Sequence, residues 1–276
     1  MIPIGAARSL YRSLLSTRRY PFVFPPEAIY RDAPGEWVPG FATYGQYNYL
    51  HGGLLPWIKR LHFSLALDLA DSHAPNAAKV IDYGCADGIF LPTLSARFSD
   101  VVGIELRPEF CNIAEKCSRT AELINARVFC NAQMCVTEER EALGGDFDVA
   151  FCLEVVEHAG VRENMWTSRV SFIKHLLSLL RPGGVAIVSV PAMLGIPFLI
   201  QRLALWGAGA QRDEISWKEM FDAGVLHKTD DLEAIWSSEK HLGFNHLRLE
   251  EALRGHVRVL ERRHIFVQVL YALTSP

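Results

Sequence analysis

The six cysteines of this 276-residue chain, Cys85, Cys111, Cys117, Cys130, Cys135 and Cys152, include no C-x-x-C pair. Several fall inside apolar, core-like segments, so reduced thiols in a cytoplasmic protein are expected, not a disulfide frame. No apolar run reaches about 18 residues, so no transmembrane helix is expected. Positive charge is not in excess: the formal net charge is −3, and bulk charge makes no case for nucleic acid or an anionic membrane surface. The basic, partly amphipathic N-terminal stretch MIPIGAARSLYRSLLSTRRYPF lacks a sustained apolar core and a clean small-residue cleavage site. There is no internal repeat and no low-complexity tract. What is present, 50% hydrophobic and 21% charged residues, is an ordinary soluble composition, with a length that suits one large domain or a domain with appendages.

Residues 1–60 read as an arm. They are rich in Pro, Gly and aromatics (YPFVFPPEAIY, then EWVPGFATYGQYNYLHGG), and the prolines forbid long regular structure. The remainder, 61–276, reads as one domain. PWIKRLHFSLALDLADSH has helical spacing. From Lys79 strands and helices alternate: KVIDYG, then the helix GIFLPTLSARF; DVVGIEL, then PEFCNIAEKCSR; ARVFCNA; and FDVAFCLEV, then ENMWTSRVSFIKHLLSLL, which RPGG ends before the fifth strand VAIVSVP. Near-continuous apolar strands indicate a parallel sheet covered on both faces. An apolar insert, 192–226, interrupts the alternation. A helix HKTDDLEAIWSSEKHLGF follows, and HLRLEEAL and RRHIFVQVLYAL read as two strands of an antiparallel edge hairpin. The expected fold is α/β: a Rossmann-like, doubly wound, seven-stranded and mostly parallel sheet with that hairpin, plus the N-terminal arm.

Ligands of such sheets sit beyond the carboxyl ends of the strands. The first strand ends in VIDYGCADGIF. Aligned on Gly84, the dinucleotide pattern G-x-G-x-x-G needs glycine where Ala86 and Ile89 stand. Asp87 adds a negative charge where a pyrophosphate would approach, which favours a cationic or hydroxyl-rich ligand instead. Asp87 also reads as a helix N-cap. Gly84 allows close backbone approach, and Gly88 lets the helix start close to the strand. Glu105 follows Gly84 by about 20 residues, the placement of an acid that accepts from both ribose hydroxyls.

Together these segments resemble the class I S-adenosylmethionine-dependent methyltransferases of the small-molecule type. VIDYGCADG is similar to that family's first motif, VVGIEL to its second strand with the ribose acid, FDVAFCLEVVEH to the fourth-strand motif and LLRPGGVAIVSVP to the fifth. The resemblance implies S-adenosylmethionine as cofactor and S-adenosylhomocysteine as product. It implies backbone contacts to the methionine part at Gly84, Cys85 and Ala86, with Asp87 and Gly88 completing the turn. Asp82 would face the amino group, Glu105 the ribose, Leu106, Asn131 and Ala132 the adenine side, and Leu153 and Glu154 the methionine side. Ala86, where glycine is usual, and CNAQ, where an acid is common, depart from the pattern.

His158 is the first choice of general base, with Glu157 beside it, since a hydroxyl or carbon acceptor needs one. Bracing of the following loop is the plainer reading of both. E-x-x-E-H also resembles metal-dependent ubiquinone-type and RNA-end O-methyltransferases, with His227 closing a divalent site through Glu154, Glu157 and His158, but it occurs in metal-free relatives too, and no metal is assigned. The acceptor is expected to be a small hydrophobic or aromatic molecule methylated on O or N. Trp37, Phe41, Tyr44, Tyr47, Tyr49 and His51 of the arm, and Phe198, Leu199, Leu203 and Trp206 of the insert, would line its pocket, or simply pack as core. Peripheral membrane contact through the insert stays open, and no nucleic-acid partner is expected from RGHVRVLERRH. Two other readings stand beside this one: a catalytically silent cofactor-binding subunit, and a nicotinamide oxidoreductase whose glycine pattern fails here.

Overall fold

The computed structural model describes residues 20–31, 40–50, 54–130, 136–207, 215–235, 241–265 and 268–276. Among them the helices are α1 (Ala28–Arg31), α2 (Leu54–His73), α3 (Leu91–Ser95), α4 (Pro108–Thr120), α5 (Val136–Leu143), α6 (Met165–Ser178), α7 (Gly195–Gly207), α8 (Trp217–Gly224), α9 (Asp230–Glu233) and α10 (His246–Leu253). The strands are β1 (Lys79–Tyr83), β2 (Asp100–Glu105), β3 (Ala126–Cys130), β4 (Phe147–Leu153), β5 (Leu180–Pro191), β6 (Arg258–Ile265) and β7 (Gln268–Thr274). They form one seven-stranded sheet in the order β3-β2-β1-β4-β5-β7-β6. β1 pairs in parallel with β2 and β4, and β2 with β3, whereas β6 and β7 are antiparallel. Among the described residues no helix is long and apolar enough to cross a membrane.

The chain divides into two compact units, Met1–Cys152 with Leu176–Ile187, and Leu153–His175 with Val188–Pro276. In the first, Val80, Ile81, Val101, Val102, Val149 and Ala150 are fully buried, as strands covered on both faces require. Leu61, Leu65 and Leu69 recur every four residues along α2 and are buried with them. The arm joins this core through aromatic rings. Phe22 stacks on Phe63 at 5.8 Å, Phe63 on Phe90 at 4.3 Å, and Phe90 meets Phe151 edge-on at 5.6 Å. Tyr49 packs on Phe63 at 4.9 Å. Trp37 and His51 lie outside the described residues.

In the second unit the chain departs from expectation at its end. HLRLEEAL is the helix α10, not a strand. Asn245 accepts hydrogen bonds from the Leu247 and Arg248 amides, and His246, Leu249 and Leu253 are the buried face, at helical spacing. Both hairpin strands come from the residues after it, with Arg258 opposite Thr274 and Ile265 opposite Gln268. Among its described residues the expected helix HKTDDLEAIWSSEKHLGF forms a single turn, Asp230–Glu233, and GIFLPTLSARF shortens to α3. β5 starts before RPGG, at Leu180, rather than after it. Phe198 is fully buried core, while Ile196, Ile200, Leu203 and Trp206 of α7 and Trp217 and Phe221 of α8 are exposed.

Candidate active site

The turn after β1 is built from strained and glycine backbone. Gly84 and Gly88 have φ of 86° and 77°, and Ala86 has φ 49°, a region where glycine is favoured. The usual glycine at position 86 therefore has a backbone reason. Gly88 is required by α4 rather than by a helix start: a Cβ there would lie 3.0 Å from the Ala114 Cα.

The turn's amides are already used. Gly84 N and Cys85 N both donate to the Ile104 carbonyl, at 2.8 and 3.0 Å, and Gly88 N donates to the Cys85 carbonyl. Ala86 N donates to Glu105 Oε2 at 2.9 Å. Glu105 Oε1 accepts from the Leu106 and Arg107 amides at 2.8 and 2.9 Å. A phosphate would need these N–H groups free. The turn instead offers carboxylates and carbonyls, a lining of acceptors. Asp82, buried at the end of β1, has its carboxyl pushed up to about 7, first by burial and then by the charge of Glu105. An ammonium beside it would reverse that shift. Glu105 itself fills three of about four acceptor positions with backbone amides, so meeting both ribose hydroxyls requires one amide to yield. Leu106 is 53% exposed beside it.

Asp87 is placed differently from the sequence reading. It is fully buried and turned to the arm, where Oδ2 accepts from Gly45 N at 2.7 Å. Burial pushes its carboxyl up, while the Thr43 side chain and the Gly45 amide hold it down. A Cβ on Gly45 would sit 2.5 Å from that carboxylate. Asp87 is not the N-cap of α3, which is Phe90. With Oδ2 taken by the arm, the acids that disfavour a pyrophosphate are Asp82 and Glu105, together with the spent amides.

The second unit holds the other predicted residues. Leu153 ends β4, and Glu154 follows with φ 60°, its amide donating to Ser189 Oγ at 3.1 Å. Glu157 and His158 lie on one 3-10 turn. Both Glu157 carboxylate oxygens are buried, and Oε1 lies 3.9 Å from His158 Nε2 and 3.5 Å from His241 Nδ1. Burial and the Glu154 charge raise the Glu157 carboxyl well above its usual value, against the pull of Arg169. Donor atoms of Glu157, His158 and His241 all lie within 4.8 Å of one another. The fourth ligand expected at His227 is elsewhere: its Nε2 is 3.3 Å from where a Gly195 Cβ would stand, and its charge acts on His246.

Sequence reasoning missed Thr43, Gly45, His241 and Arg169. The Arg169 guanidinium is fully buried, 4.6 Å from the Trp166 ring centre and 4.9 Å from that of Phe244, and donates to the Glu157 carbonyl at 2.9 Å. It braces the turn that carries Glu157 and His158. None of the four stands in a motif; only their partners identify them. Asn131 and Ala132 lie outside the described residues. The cysteine expectation changes as well. Cys111 and Cys130 form a disulfide, because the first turn of α4 and the end of β3 bring their Cα atoms to 5.7 Å, which their separation in sequence could not reveal. Cys85, Cys117 and Cys152 stand outside that disulfide and are buried.

A family model described as a methyltransferase domain matches residues 54–253. The ubiquinone biosynthesis O-methyltransferase of Acinetobacter baylyi is 30% identical over 122 residues, 44% of this chain and 47% of that protein. Its counterpart in Psychrobacter cryohalolentis is 31% identical over 163 residues, 56% and 58% respectively. The chain thus spans about half the length of the curated relatives it matches. Among solved structures, the N-methyltransferase NodS from Bradyrhizobium japonicum WM9, in complex with S-adenosyl-L-homocysteine, aligns with a TM-score of 0.51 at 14% identity over 96% of this chain and 98% of that one. The PH0226 protein from Pyrococcus horikoshii OT3 gives 0.51 at 14% identity, over 84% and 96%. At such identities the likeness is one of fold.

Proposed function

The chain belongs to the methyltransferase-domain family, and from that premise we propose that it methylates a hydroxyl of a small, hydrophobic or aromatic acceptor, with S-adenosylmethionine as donor. One observation carries the donor assignment: the amides of Gly84, Cys85, Ala86 and Gly88 are spent within the fold, leaving an acceptor-rich turn between Asp82 and Glu105. That lining suits a ligand bearing an ammonium and a ribose, and disfavours one bearing a pyrophosphate.

The donor supplies an electrophilic methyl group on a sulfonium and leaves as S-adenosylhomocysteine. The chain's own residues bind and orient. Asp82 takes the ammonium, Glu105 the ribose, and Leu106 lies along the adenine. Asn131, Ala132, Leu153 and Glu154 keep the places the family resemblance gives them. His158, half-exposed, removes the acceptor proton, and the Glu157 carboxyl, 3.9 Å away, favours the imidazolium that results. The choice of oxygen follows the names of the curated relatives, and the apolar acceptor is supported by the exposed apolar faces of α7 and α8. Peripheral contact with a membrane through those faces and a cytoplasmic location belong to the same reading. Calorimetry with S-adenosylhomocysteine, followed by turnover on phenolic acceptors, tests it. Binding without turnover on any hydroxyl or amine leaves a silent subunit, and absence of binding removes the donor assignment.

A second reading rests on the clustering of Glu157, His158 and His241 donors within 4.8 Å. A divalent ion held there, with Glu154 three residues before Glu157, would lower the pKa of an acceptor hydroxyl in place of a base. Turnover that survives complete removal of divalent metal by a chelator discards this reading.

A further inference from the structure

We infer that Cys111 and Cys130 form a reversible thiol–disulfide modification site, whose state sets the order of the Glu105 loop and through it the affinity for the S-adenosyl ligand. The first half of the inference stands on the fold alone; the second rests on the donor assignment above.

The geometry joins the pair to the site by two routes. Cys130 is the last residue of β3 and the parallel register partner of Glu105. Cys111 lies in the first turn of α4, and its amide donates to the carbonyl of Arg107, the residue that caps that helix. Arg107 N in turn donates to Glu105 Oε1. The disulfide therefore closes a ring that runs from Cys130 across the strand pair to Glu105, on to Arg107, and back through Cys111. Glu105 fixes the Ala86 amide of the cofactor turn from inside that ring. Opening the ring releases the end of β3 from the start of α4 at the point where the acid is held.

The two sulfurs differ in access, which decides the one that reacts first. Cys130 is exposed and Cys111 is fully buried. A small disulfide, RSSR, reacts with the Cys130 thiolate first: a Cys130–SR bond forms, the RS–SR bond breaks, and one RSH leaves after taking up a proton. Cys111 then attacks Cys130 Sγ, the Cys130–Cys111 bond forms, and the second RSH leaves. Two protons and two electrons pass from the protein to RSSR. Glu115 Oε1 lies 3.7 Å from Cys130 Sγ, and the state of the pair follows the ambient thiol–disulfide balance. The other described cysteines, Cys85, Cys117 and Cys152, are buried and offer no competing exposed thiol.

The test uses the full chain equilibrated in graded mixtures of reduced and oxidised glutathione. Alkylation and peptide mapping read the pairing, hydrogen exchange reads the Ala86, Leu106 and Arg107 amides, and calorimetry reads S-adenosylhomocysteine affinity. The expected result is one two-electron transition mapped to Cys111 and Cys130. The three amides should exchange about fivefold or more faster in the reduced state, with affinity about threefold to tenfold weaker. The Cys111→Ser/Cys130→Ser double variant should match the reduced protein at every glutathione ratio. Three results overturn the inference: no 111–130 pairing under excess oxidant, equal amide exchange in both states, or global unfolding of the reduced protein, which makes the bond a structural staple. Amides that respond, in a protein that binds no S-adenosyl ligand in either state, would instead overturn the donor assignment and leave the thiol site standing.

Discussion

Ala86 carries a methyl group at φ 49°, where a side chain costs about 1 kcal/mol and glycine nothing. Ala86→Gly is expected to raise stability in denaturant unfolding by up to about 1 kcal/mol, less the entropy glycine adds to the unfolded chain. Asp82 gives a prediction in pH. Its folded pKa, about 7, lies above the ordinary 3.8, so the folded state binds the proton more tightly. Its contribution to stability is fully present below the unfolded value and is lost as pH rises from about 4 through about 7. Unfolding titrations of the ligand-free protein should show this decline, and Asp82→Asn should flatten it. Ligand binding has the opposite sign: if an ammonium docks there, affinity for S-adenosylhomocysteine rises as pH passes about 7. At this scale the sequence was partly legible. Asp82, Gly84 and Glu105 follow from strand ends and spacing, whereas Asp87 was misplaced because nothing in VIDYGCADGIF shows that a residue 42 positions earlier takes its carboxylate.

Among the elements, the five strands from KVIDYG to VAIVSVP were readable because buried parallel strands leave long apolar runs. α10 was not: HLRLEEAL alternates over its first four residues and satisfies a strand template as well as a helix one. What decides is the Asn245 side chain closing two amides of the first turn. Asn245→Ala should therefore cost about 1 kcal/mol of stability and leave S-adenosylhomocysteine affinity unchanged, measured by chemical unfolding and calorimetry. The hairpin was expected from the right region but assigned to the wrong residues. Its strands both lie after Leu253, where alternation in RVLERRHI is dense with arginine. Arg263 is nevertheless buried against Glu261, and Arg262 pairs with Glu250, so these charges meet acids from the chain itself.

For the molecule as a whole, the mostly parallel seven-stranded sheet with its antiparallel edge was legible, and the contacts that attach the arm were not. Composition marked 1–60 as irregular, but ring stacking on Phe63 and the Gly45–Asp87 contact depend on distances between segments far apart in sequence. Gly45→Ala should push the arm off the turn. Limited proteolysis is expected to cut within residues 40–50 at least about threefold faster than in the wild type, since cleavage follows local opening. Equal cleavage rates would show that the aromatic stack alone holds the arm.

The same contact sets an order on hereditary change. Any side chain at position 45 meets the Asp87 carboxylate, so a lineage cannot replace Gly45 first without strain. A smaller residue at position 87 opens the space, after which position 45 is free to vary. Related sequences should therefore show a larger residue at 45 only beside a smaller one at 87, a path through sequence space with its first step fixed.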